Sequence, residues 1–306
     1  MPPNLNAKVC DLLQAEDLPM TFLEPIAKFY WPLATYLARH RERLGRAMML
    51  GINGPQGAGK STLARILELV FTAEFNLPTA VVSLDDLYLT RAQRAKLSRE
   101  VHPLLITRGV PATHDITLGM ATLESLSQAT DDEITRIPRF DKSRDERVPF
   151  ADWDVFRARA EVVILEGWCV GARPEQDDAL LHPINELERT DDPNGVWRNH
   201  VNAALAGAYQ ALFAKLDHLL FFRTPGFECV LAWRLMQERK LERRLRDKGL
   251  PRKIDNTYQL MDENALRRFT MHFERLTRNM LLHMPAYADT VIDVDEMHQI
   301  VSVSSR

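Results

Sequence analysis

The 306-residue sequence contains only three cysteines, Cys10, Cys169 and Cys229, and no two of them have C-x-x-C spacing. A disulfide framework or a cysteine zinc site is therefore not expected. Instead, the three cysteines are expected to be reduced thiols in a cytoplasmic protein. Long apolar runs are also missing, since stretches such as Val162–Leu165 are far too short to cross a bilayer. The start, Met1–Asn6, shows no signal-peptide pattern. The net charge of only -3 gives no general attraction to nucleic acid or to an anionic membrane, and we expect neither as a partner.

The sequence does have an ordinary globular composition, 45% hydrophobic and 26% charged. Short apolar runs alternate along it with segments that have helical apolar spacing. The predicted strands are 47–52, 79–84, 161–165, 218–222 and 290–294, the last of which closes the chain. The predicted helical segments are 1–46, 61–69, 91–131 with a loop at 108–115, 201–216, 227–248 and 263–283.

Alternating strands and helices predict an α/β fold, in which helices cover both faces of a mainly parallel sheet. Two polar, proline-containing segments, 136–150 and 171–196, are interpreted as irregular connections. In sheets of this kind a ligand binds beyond the carboxyl ends of the strands. Candidate functional residues are therefore sought just after each predicted strand.

A phosphate-binding loop follows the first predicted strand. Residues 54–61 match the pattern G-x-x-x-x-G-K-[ST], whose glycines let backbone N–H groups turn inward around an anion. A glycine-rich turn without function is the alternative, but the strand before it and the helix after it favour the motif. Lys60 is expected to reach the β- and γ-phosphates, and the Ser61 hydroxyl to ligate Mg²⁺. The candidate nucleotide-binding residues are Gly54, Pro55, Gln56, Gly57, Ala58, Gly59, Lys60, Ser61 and Thr62.

Acidic residues follow two other predicted strands. Asp85 comes after 79–84, where a carboxylate can face the γ-phosphate and act as the base toward an acceptor hydroxyl. The alternative is that Asp85 and Asp86 cap a helix. Glu166 follows 161–165 in a Walker-B-like arrangement that holds a carboxylate near Mg²⁺. An ordinary acid at the end of a strand is the alternative there.

The long helix predicted from residue 227 is strongly basic in its second half. Its basic residues are Arg234, Arg239, Lys240, Arg243, Arg244, Arg246, Lys248, Arg252 and Lys253. Such a run usually faces solvent, but one or two arginines can also close over the phosphates as part of a lid. Arg234 is the candidate lid residue and the third candidate catalytic residue beside Lys60 and Asp85.

A further basic group lies in predicted loops. Its members are Arg108, His114, Arg139, Lys142 and Arg147. Loop arginines commonly clamp a planar anion, which would suit an acceptor that carries a carboxylate or a phosphate. The alternative is ion pairing with nearby acids, which are Asp115, Asp141, Asp145 and Glu146.

These motifs, in this order, resemble those of one known family. The matching segments are 54–61, 83–90, 108–115, 137–143, 165–168, 209–213, 233–238 and 284–287. They resemble the plant-type D-glycerate 3-kinases and their microbial P-loop relatives, within a superfamily that includes phosphoribulokinase, uridine kinase and pantothenate kinase. The resemblance extends from about Phe22 to the end of the chain.

Residues 1–46, whose apolar residues have helical spacing, are predicted to form a helical segment packed on the outside of the core. The resemblance implies a P-loop kinase domain over residues 47–306. It implies ATP- and Mg²⁺-dependent phosphorylation of D-glycerate to 3-phosphoglycerate, with Asp85 as base, and Ser61 and Glu166 at the metal. The acceptor would carry a hydroxyl and a carboxylate. The implied acceptor-binding residues are Asp86, Tyr88, Arg108, His114, Asp115, Arg139 and Lys142. The sequence indicates neither an oligomeric state nor the residues that contact adenine.

Other functions remain open at this point. A related kinase could act on pantothenate, a nucleoside or a sugar phosphate. A non-kinase P-loop NTPase is a second class, although no Asn-Lys-x-Asp guanine-reading segment is present and aromatic residues do not alternate with the basic helix. A degenerate nucleotide-binding regulator is a third class, which the presence of Lys60, Ser61, Asp85 and Glu166 disfavours.

Overall fold

A six-stranded sheet lies at the centre of the protein, in a computed structural model that describes residues 1–130, 132–247, 253–254, 258–259 and 262–306. The strands are β1 (Met48–Asn53), β2 (Thr79–Ser83), β3 (Ile134–Ile137), β4 (Phe140–Asp141), β5 (Glu146–Arg147), β6 (Asp154–Arg157), β7 (Val162–Gly167), β8 (His218–Arg223), β9 (Lys253–Ile254), β10 (Tyr258–Gln259), β11 (Thr290–Val294) and β12 (Ile300–Ser305). The central sheet has the order β12-β11-β8-β1-β7-β2, and the remaining strands form the pairs β3-β6, β4-β5 and β9-β10.

Helices connect and cover these strands. They are α1 (Pro3–Ala15), α2 (Leu23–Pro25), α3 (Trp31–Leu44), α4 (Lys60–Glu74), α5 (Arg91–Glu100), α6 (Ile116–Gln128), α7 (Glu186–Asp191), α8 (Val196–Ala204), α9 (Gln210–Phe213), α10 (Phe227–Asp247) and α11 (Glu263–His283). Among the described residues, no helix has both the length and the apolar character that crossing a membrane requires.

The parallel part of the sheet brings the predicted motifs to one edge. β1 pairs in parallel with β7 and β8, β2 pairs in parallel with β7, and β11 pairs in parallel with β8. In this register Ile52 and Ser83 both lie opposite Glu166. The phosphate loop and the acids after β2 and in β7 therefore meet, which confirms the predicted α/β sheet and its functional edge.

Alternate residues of the buried strands point to opposite faces of the sheet, so both faces are apolar. Helices cover each of them. On one side, Met48 and Leu50 of β1 join an apolar core with α1, α3 and α4. On the other side, Val163 and Leu165 of β7 join a second core with α6, α9 and α11. Leu5 of α1 belongs to the first core, so the N-terminal helical segment shares the apolar layer of α4.

Two sequence interpretations are wrong in this structure. β11 does not close the chain, because β12 pairs with it in antiparallel fashion. The predicted helix 201–216 is not continuous, since α8 ends at Ala204 and a π-helical segment precedes α9. Gly207 within that segment has φ -92° and ψ -112°, which is far from helical. A helix with such an insertion is expected to kink there.

The two segments interpreted as irregular contain short elements. β3 pairs with β6, and β4 pairs with β5 as a hairpin that starts at Phe140. The segment 171–196 contains α7 and a 3₁₀ turn at Asp177–Leu180. These elements place Lys142 and the neighbouring charged residues at the carboxyl edge of the sheet.

Candidate active site

The phosphate loop joins β1 directly to α4, which begins at Lys60. Gly57 and Gly59 have φ values of 85° and 98°, a region that glycine adopts at little cost. At Gly54 a Cβ atom would lie 2.7 Å from the Cβ of Phe222, so the loop packs closely on β8. The backbone N–H groups of the loop and of the first turn of α4 are thus available to an anion.

Lys60 extends back over the loop, and its Nζ donates a hydrogen bond to the carbonyl of Pro55 at 3.1 Å. Burial lowers the pKa of Lys60, whereas the nearby carboxylates of Glu166 and Asp85 raise it. The ammonium is therefore desolvated and oriented before any phosphate arrives. A cation in that condition interacts strongly with a phosphate oxygen.

Ser61 and Glu166 provide adjacent oxygen ligands beside the loop. The Ser61 hydroxyl donates to Oε1 of Glu166 at 3.1 Å, and Glu166 is only 7% exposed. A hydroxyl and a carboxylate fit Mg²⁺, which prefers oxygen and takes much of its shell from water and substrate phosphates. The described residues contain no cluster of three or more acidic, histidine or cysteine side chains that could enclose a metal alone.

Asp85 lies in a 3₁₀ turn, Leu84–Leu87, immediately after β2. Its own N–H donates to the Ser83 hydroxyl at 3.3 Å, so Ser83 is the residue that caps the turn. Tyr88 donates to one carboxylate oxygen of Asp85 at 2.6 Å, and Lys142 donates to the other at 2.6 Å. Burial would raise the pKa of Asp85, but the Lys142 ammonium and the Tyr88 hydroxyl outweigh it and lower the pKa to about 2.

Behind Asp85 lies an aromatic stack that fixes Tyr88. The rings of Tyr88 and His114 are 4.7 Å apart, and His114 Nδ1 lies 2.6 Å from the Tyr209 hydroxyl. Burial lowers the pKa of His114 to about 4, although Asp85 opposes it, so the imidazole is neutral at pH 7. His114 Nε2 is buried and has no hydrogen-bond partner in the described part of the chain.

A cavity of about 290 Å³ joins these groups. The residues that line it are Gln56, Gly57, Lys60, Ser61, Ser83, Asp85, Tyr88, Arg108, Lys142, Glu166, Gly167, Trp168, Arg234, Phe269 and Phe273. The candidate base, the phosphate-loop lysine and two loop cations therefore face one space. This volume suits a small acceptor beside the terminal phosphate of a nucleotide.

The loop cations that were predicted to hold the acceptor separate into two groups. Arg108 and Lys142 line the cavity, and a terminal nitrogen of Arg108 lies 3.4 Å from the Lys142 carbonyl. Arg108 also forms an ion pair with Asp145. Arg108 and Lys142 therefore face the cavity, as residues that bind an acceptor would, and they also form ion pairs.

The other predicted acceptor residues lie behind the cavity wall. Arg139 donates to Asp86 at 2.6 Å and also pairs with Asp154. Asp115 caps α6 through the N–H of Leu118 at 3.0 Å and also pairs with Arg147. None of these four candidates, Asp86, Asp115, Arg139 and Arg147, lines the cavity.

Among the residues of the basic helix whose side chains the structure describes, Arg234 lines the cavity. Arg239 and Arg243 are exposed on the same helix. Lys248 and Arg252 of the predicted basic run lie outside the described residues.

Several cavity residues were not predicted from sequence. Trp168 comes directly after β7 and donates its indole N–H to the Gly109 carbonyl at 2.7 Å. Phe269 and Phe273 of α11 are four residues apart on one helix face. Their i, i+4 spacing was visible as part of an amphipathic helix, but spacing alone cannot say which ligand or side chain such a face meets.

Gly109 connects Arg108 to this aromatic wall and yields a stability prediction. Its φ is 132°, and a Cβ there would lie 2.6 Å from the Phe273 ring. We expect Gly109→Ala to lower the free energy of unfolding by about 1–3 kcal/mol, through backbone strain and overpacking. Denaturant unfolding measures this loss.

Gly45→Ala is the matched control, because Gly45 has φ 64° but no atom of the described residues lies within 4 Å of the added Cβ. It should cost about 1 kcal/mol from the left-handed backbone alone. Equal losses in the two variants would show that the contact of Gly109 with Phe273 is not restrictive.

Comparison with known proteins identifies the family. Uncharacterized kinase mug58 of Schizosaccharomyces pombe is 35% identical over 219 residues, which cover 69% of this chain and 76% of that protein. Chloroplastic D-glycerate 3-kinase of Arabidopsis thaliana is 27% identical over 251 residues, 76% of this chain but only 52% of the plant enzyme. No protein-family model matches the chain.

A solved structure shows the same fold. D-glycerate 3-kinase from Cryptococcus neoformans var. grubii superimposes with a TM-score of 0.71 over 91% of this chain and 99% of that one, at 22% identity. At that identity the likeness concerns the fold, whereas the fission-yeast relative shows the family. The chain therefore belongs to the family of P-loop kinases that includes the plant-type D-glycerate 3-kinases and their microbial relatives.

Proposed function

We propose that this kinase transfers the γ-phosphoryl group of ATP to the 3-hydroxyl of D-glycerate in the presence of Mg²⁺. The observation that carries the proposal is that one cavity holds Lys60, Asp85 and the two cations Arg108 and Lys142. A phosphate donor, a hydroxyl and a carboxylate would each find a partner there. The name of the Arabidopsis relative supports glycerate as the acceptor.

On the donor side, the phosphate loop would bind the phosphates of ATP, with Lys60 at the β- and γ-phosphates. Ser61 and Glu166 would hold Mg²⁺, directly or through water. Mg²⁺ held there would neutralise the negative charge that develops on the phosphates during transfer. Arg234 faces the same cavity from α10, and we assign it to the lid that covers the transferred group.

On the acceptor side, Asp85 would accept a hydrogen bond from the 3-hydroxyl and receive its proton as the oxygen–phosphorus bond forms. Arg108 and Lys142 would bind the carboxylate at the other end of the three-carbon acceptor. The products are 3-phosphoglycerate, ADP and the proton on Asp85. Positioning and charge stabilisation supply most of the rate in reactions of this type.

The remaining predicted acceptor residues are assigned to support. Asp86 accepts hydrogen bonds from Arg139 and from the N–H of Phe140 at 2.9 Å, which joins the turn after β2 to the hairpin that carries Lys142. Asp115 and His114 hold the Tyr88 segment, since His114 and Tyr88 form an isolated antiparallel β-bridge. They would keep the base and the cations in register.

A direct test of the carboxylate assignment compares D-glycerate with glycerol, which has the same hydroxyl end but a neutral group in place of the carboxylate. Loss of the carboxylate partner of the half-buried Arg108 and the exposed Lys142 should lower kcat/KM by about 10²-fold or more. Steady-state ATP turnover with each acceptor measures this ratio. Similar kcat/KM values would contradict an acceptor that is recognised by its carboxylate.

A further inference from the structure

Lys142 and Asp85 form an ion pair across the site. Lys142 Nζ lies 2.6 Å from Oδ2 of Asp85, and the two residues are 57 positions apart in the sequence. The other oxygen of Asp85 accepts from Tyr88 at 2.6 Å. In this arrangement each oxygen of the proposed base already has a strong donor. A carboxylate neutralised in this way is a weak base toward a hydroxyl or a water molecule.

The two partners of Asp85 differ in mobility. Tyr88 is 5% exposed and packed between His114 and Phe140, with ring centroids 4.7 and 5.3 Å away. The Lys142 side chain is 54% exposed and stands on a flexible four-carbon stem. Tyr88 is therefore a fixed donor, whereas the ammonium of Lys142 can change partner without repacking the core.

We propose that Lys142 is a latch on Asp85: it ties the base while the acceptor site is empty, and the carboxylate of the acceptor takes over its ammonium. This proposal rests on the proposed function, because it assumes that Asp85 is the base. Arg108 stands beside the latch, with Nη2 3.4 Å from the Lys142 carbonyl. An incoming carboxylate would therefore meet two cations at the place where the latch must open.

The groups around Asp85 determine how its pKa changes when Lys142 moves away. Those that act on its charge are Lys142, Tyr88, His114, Lys60 and Cys169, and the charged residues Arg108, Glu166 and Arg234 line the same cavity. Lys142 is the exposed cation of the set. Its withdrawal would leave Asp85, whose side chain is 31% exposed, with the Tyr88 hydrogen bond but without its nearest cation, and partial burial then favours the protonated form of the carboxyl group. Asp85 would then become a stronger base at the moment when the acceptor hydroxyl is present.

This latch defines an acceptor class and protects ATP. The acceptor must carry an anionic group that reaches Lys142 while its hydroxyl reaches Asp85, which describes a short hydroxy acid. Water alone satisfies only the second requirement. Because water cannot draw Lys142 away, hydrolysis of ATP in the empty acceptor site would be disfavoured.

The test follows Asp85 directly, by ¹³C NMR titration of the aspartate carboxyl carbons, with the Asp85 resonance assigned from D85N. In the free wild-type protein Asp85 should titrate at low pH. In K142M its pKa should lie about one to three pH units higher, and in K142R, which keeps the charge, it should stay near the wild-type value. K96M is the matched control, because Lys96 is an exposed lysine that pairs with Glu100 on the surface of α5.

The same titration with ligand separates a latch from a static ion pair. Addition of D-glycerate to the wild type should raise the pKa of Asp85, whereas glycerol should not. A K142M titration that coincides with the wild type would overturn the latch, whatever the acceptor proves to be. So would a wild type that forms 3-phosphoglycerate while D-glycerate leaves the Asp85 titration unmoved.

The experiments also distinguish failure of the proposed function from failure of the latch. If K142M raises the pKa of Asp85 but MgATP and D-glycerate yield no 3-phosphoglycerate, the substrate proposal fails while the hold of Lys142 on Asp85 stands. Acceptor-independent ATP hydrolysis gives a second readout, which should rise severalfold in K142M if the latch restrains attack by water. An unchanged or lower rate would count against that restraint.

Discussion

Asp85→Asn is expected to lower kcat for acceptor phosphorylation by about 10²–10⁴-fold, the range of a lost general base. The amide has nearly the same shape and can keep the hydrogen bond from Tyr88, but it cannot take the proton of the attacking hydroxyl. The Kd for MgATP should change little, because Asp85 faces the acceptor side of the cavity. Steady-state kinetics and a nucleotide titration together separate the two effects.

Asp152→Asn is the matched control for this substitution, because Asp152 is an exposed aspartate in a 3₁₀ turn away from the cavity. It should leave kcat unchanged. An Asp85→Asn variant with wild-type kcat would remove Asp85 from the mechanism, and with it the basis for a latch by Lys142. A large rise in the Kd for MgATP would instead indicate that Asp85 contributes to nucleotide binding.

Lys60→Met is expected to reduce kcat/KM by about 10²–10³-fold, as the loss of one preorganised charge at the transferred group does. Lys60 is already desolvated, which lowers its pKa, so its charge acts at short range in a site with little water. Methionine keeps the length and apolar volume of the side chain. Pre-steady-state and steady-state rates with MgATP would measure the loss.

Stability should respond differently to this substitution. Desolvation penalises the charged form of Lys60, as its lowered pKa shows, so removal of the charge should not lower the free energy of unfolding, and Lys60→Met should unfold at the same denaturant concentration or higher. A variant that is both inactive and unfolded would show that Lys60 is required for folding. A folded variant with wild-type kcat/KM would contradict its assignment to the phosphates.

Features that depend on local order along the chain were predictable from sequence. The phosphate loop needs a strand, a glycine turn and a helix in succession, and β1, residues 54–59 and α4 supply them. α11 was predicted with its observed bounds, since its apolar residues recur at helical spacing from Glu263 to His283. β7 and β8 were found because strands buried on both faces are continuous apolar runs.

Features that depend on distant partners were not predictable. β12 is an edge strand whose Val301 is 64% exposed, and its weak alternating pattern resembles a polar tail. β4 and β5 have two residues each, too few for any periodicity. The pair of Arg139 with Asp86 spans 53 positions, so no local spacing indicates it. The sequence could name the charged residues of the site but could not say which would touch the cavity.

The measurement that tests the central claim most directly is a coupled assay of ATP conversion to ADP with Mg²⁺. It compares D-glycerate, L-glycerate, pantothenate, uridine and no acceptor, and identifies the product by ³¹P NMR. The account predicts ADP release that depends on D-glycerate, with 3-phosphoglycerate formed in equal amount. ADP release with uridine or pantothenate but not with D-glycerate would contradict the acceptor, and release that no acceptor changes would contradict a small-molecule kinase.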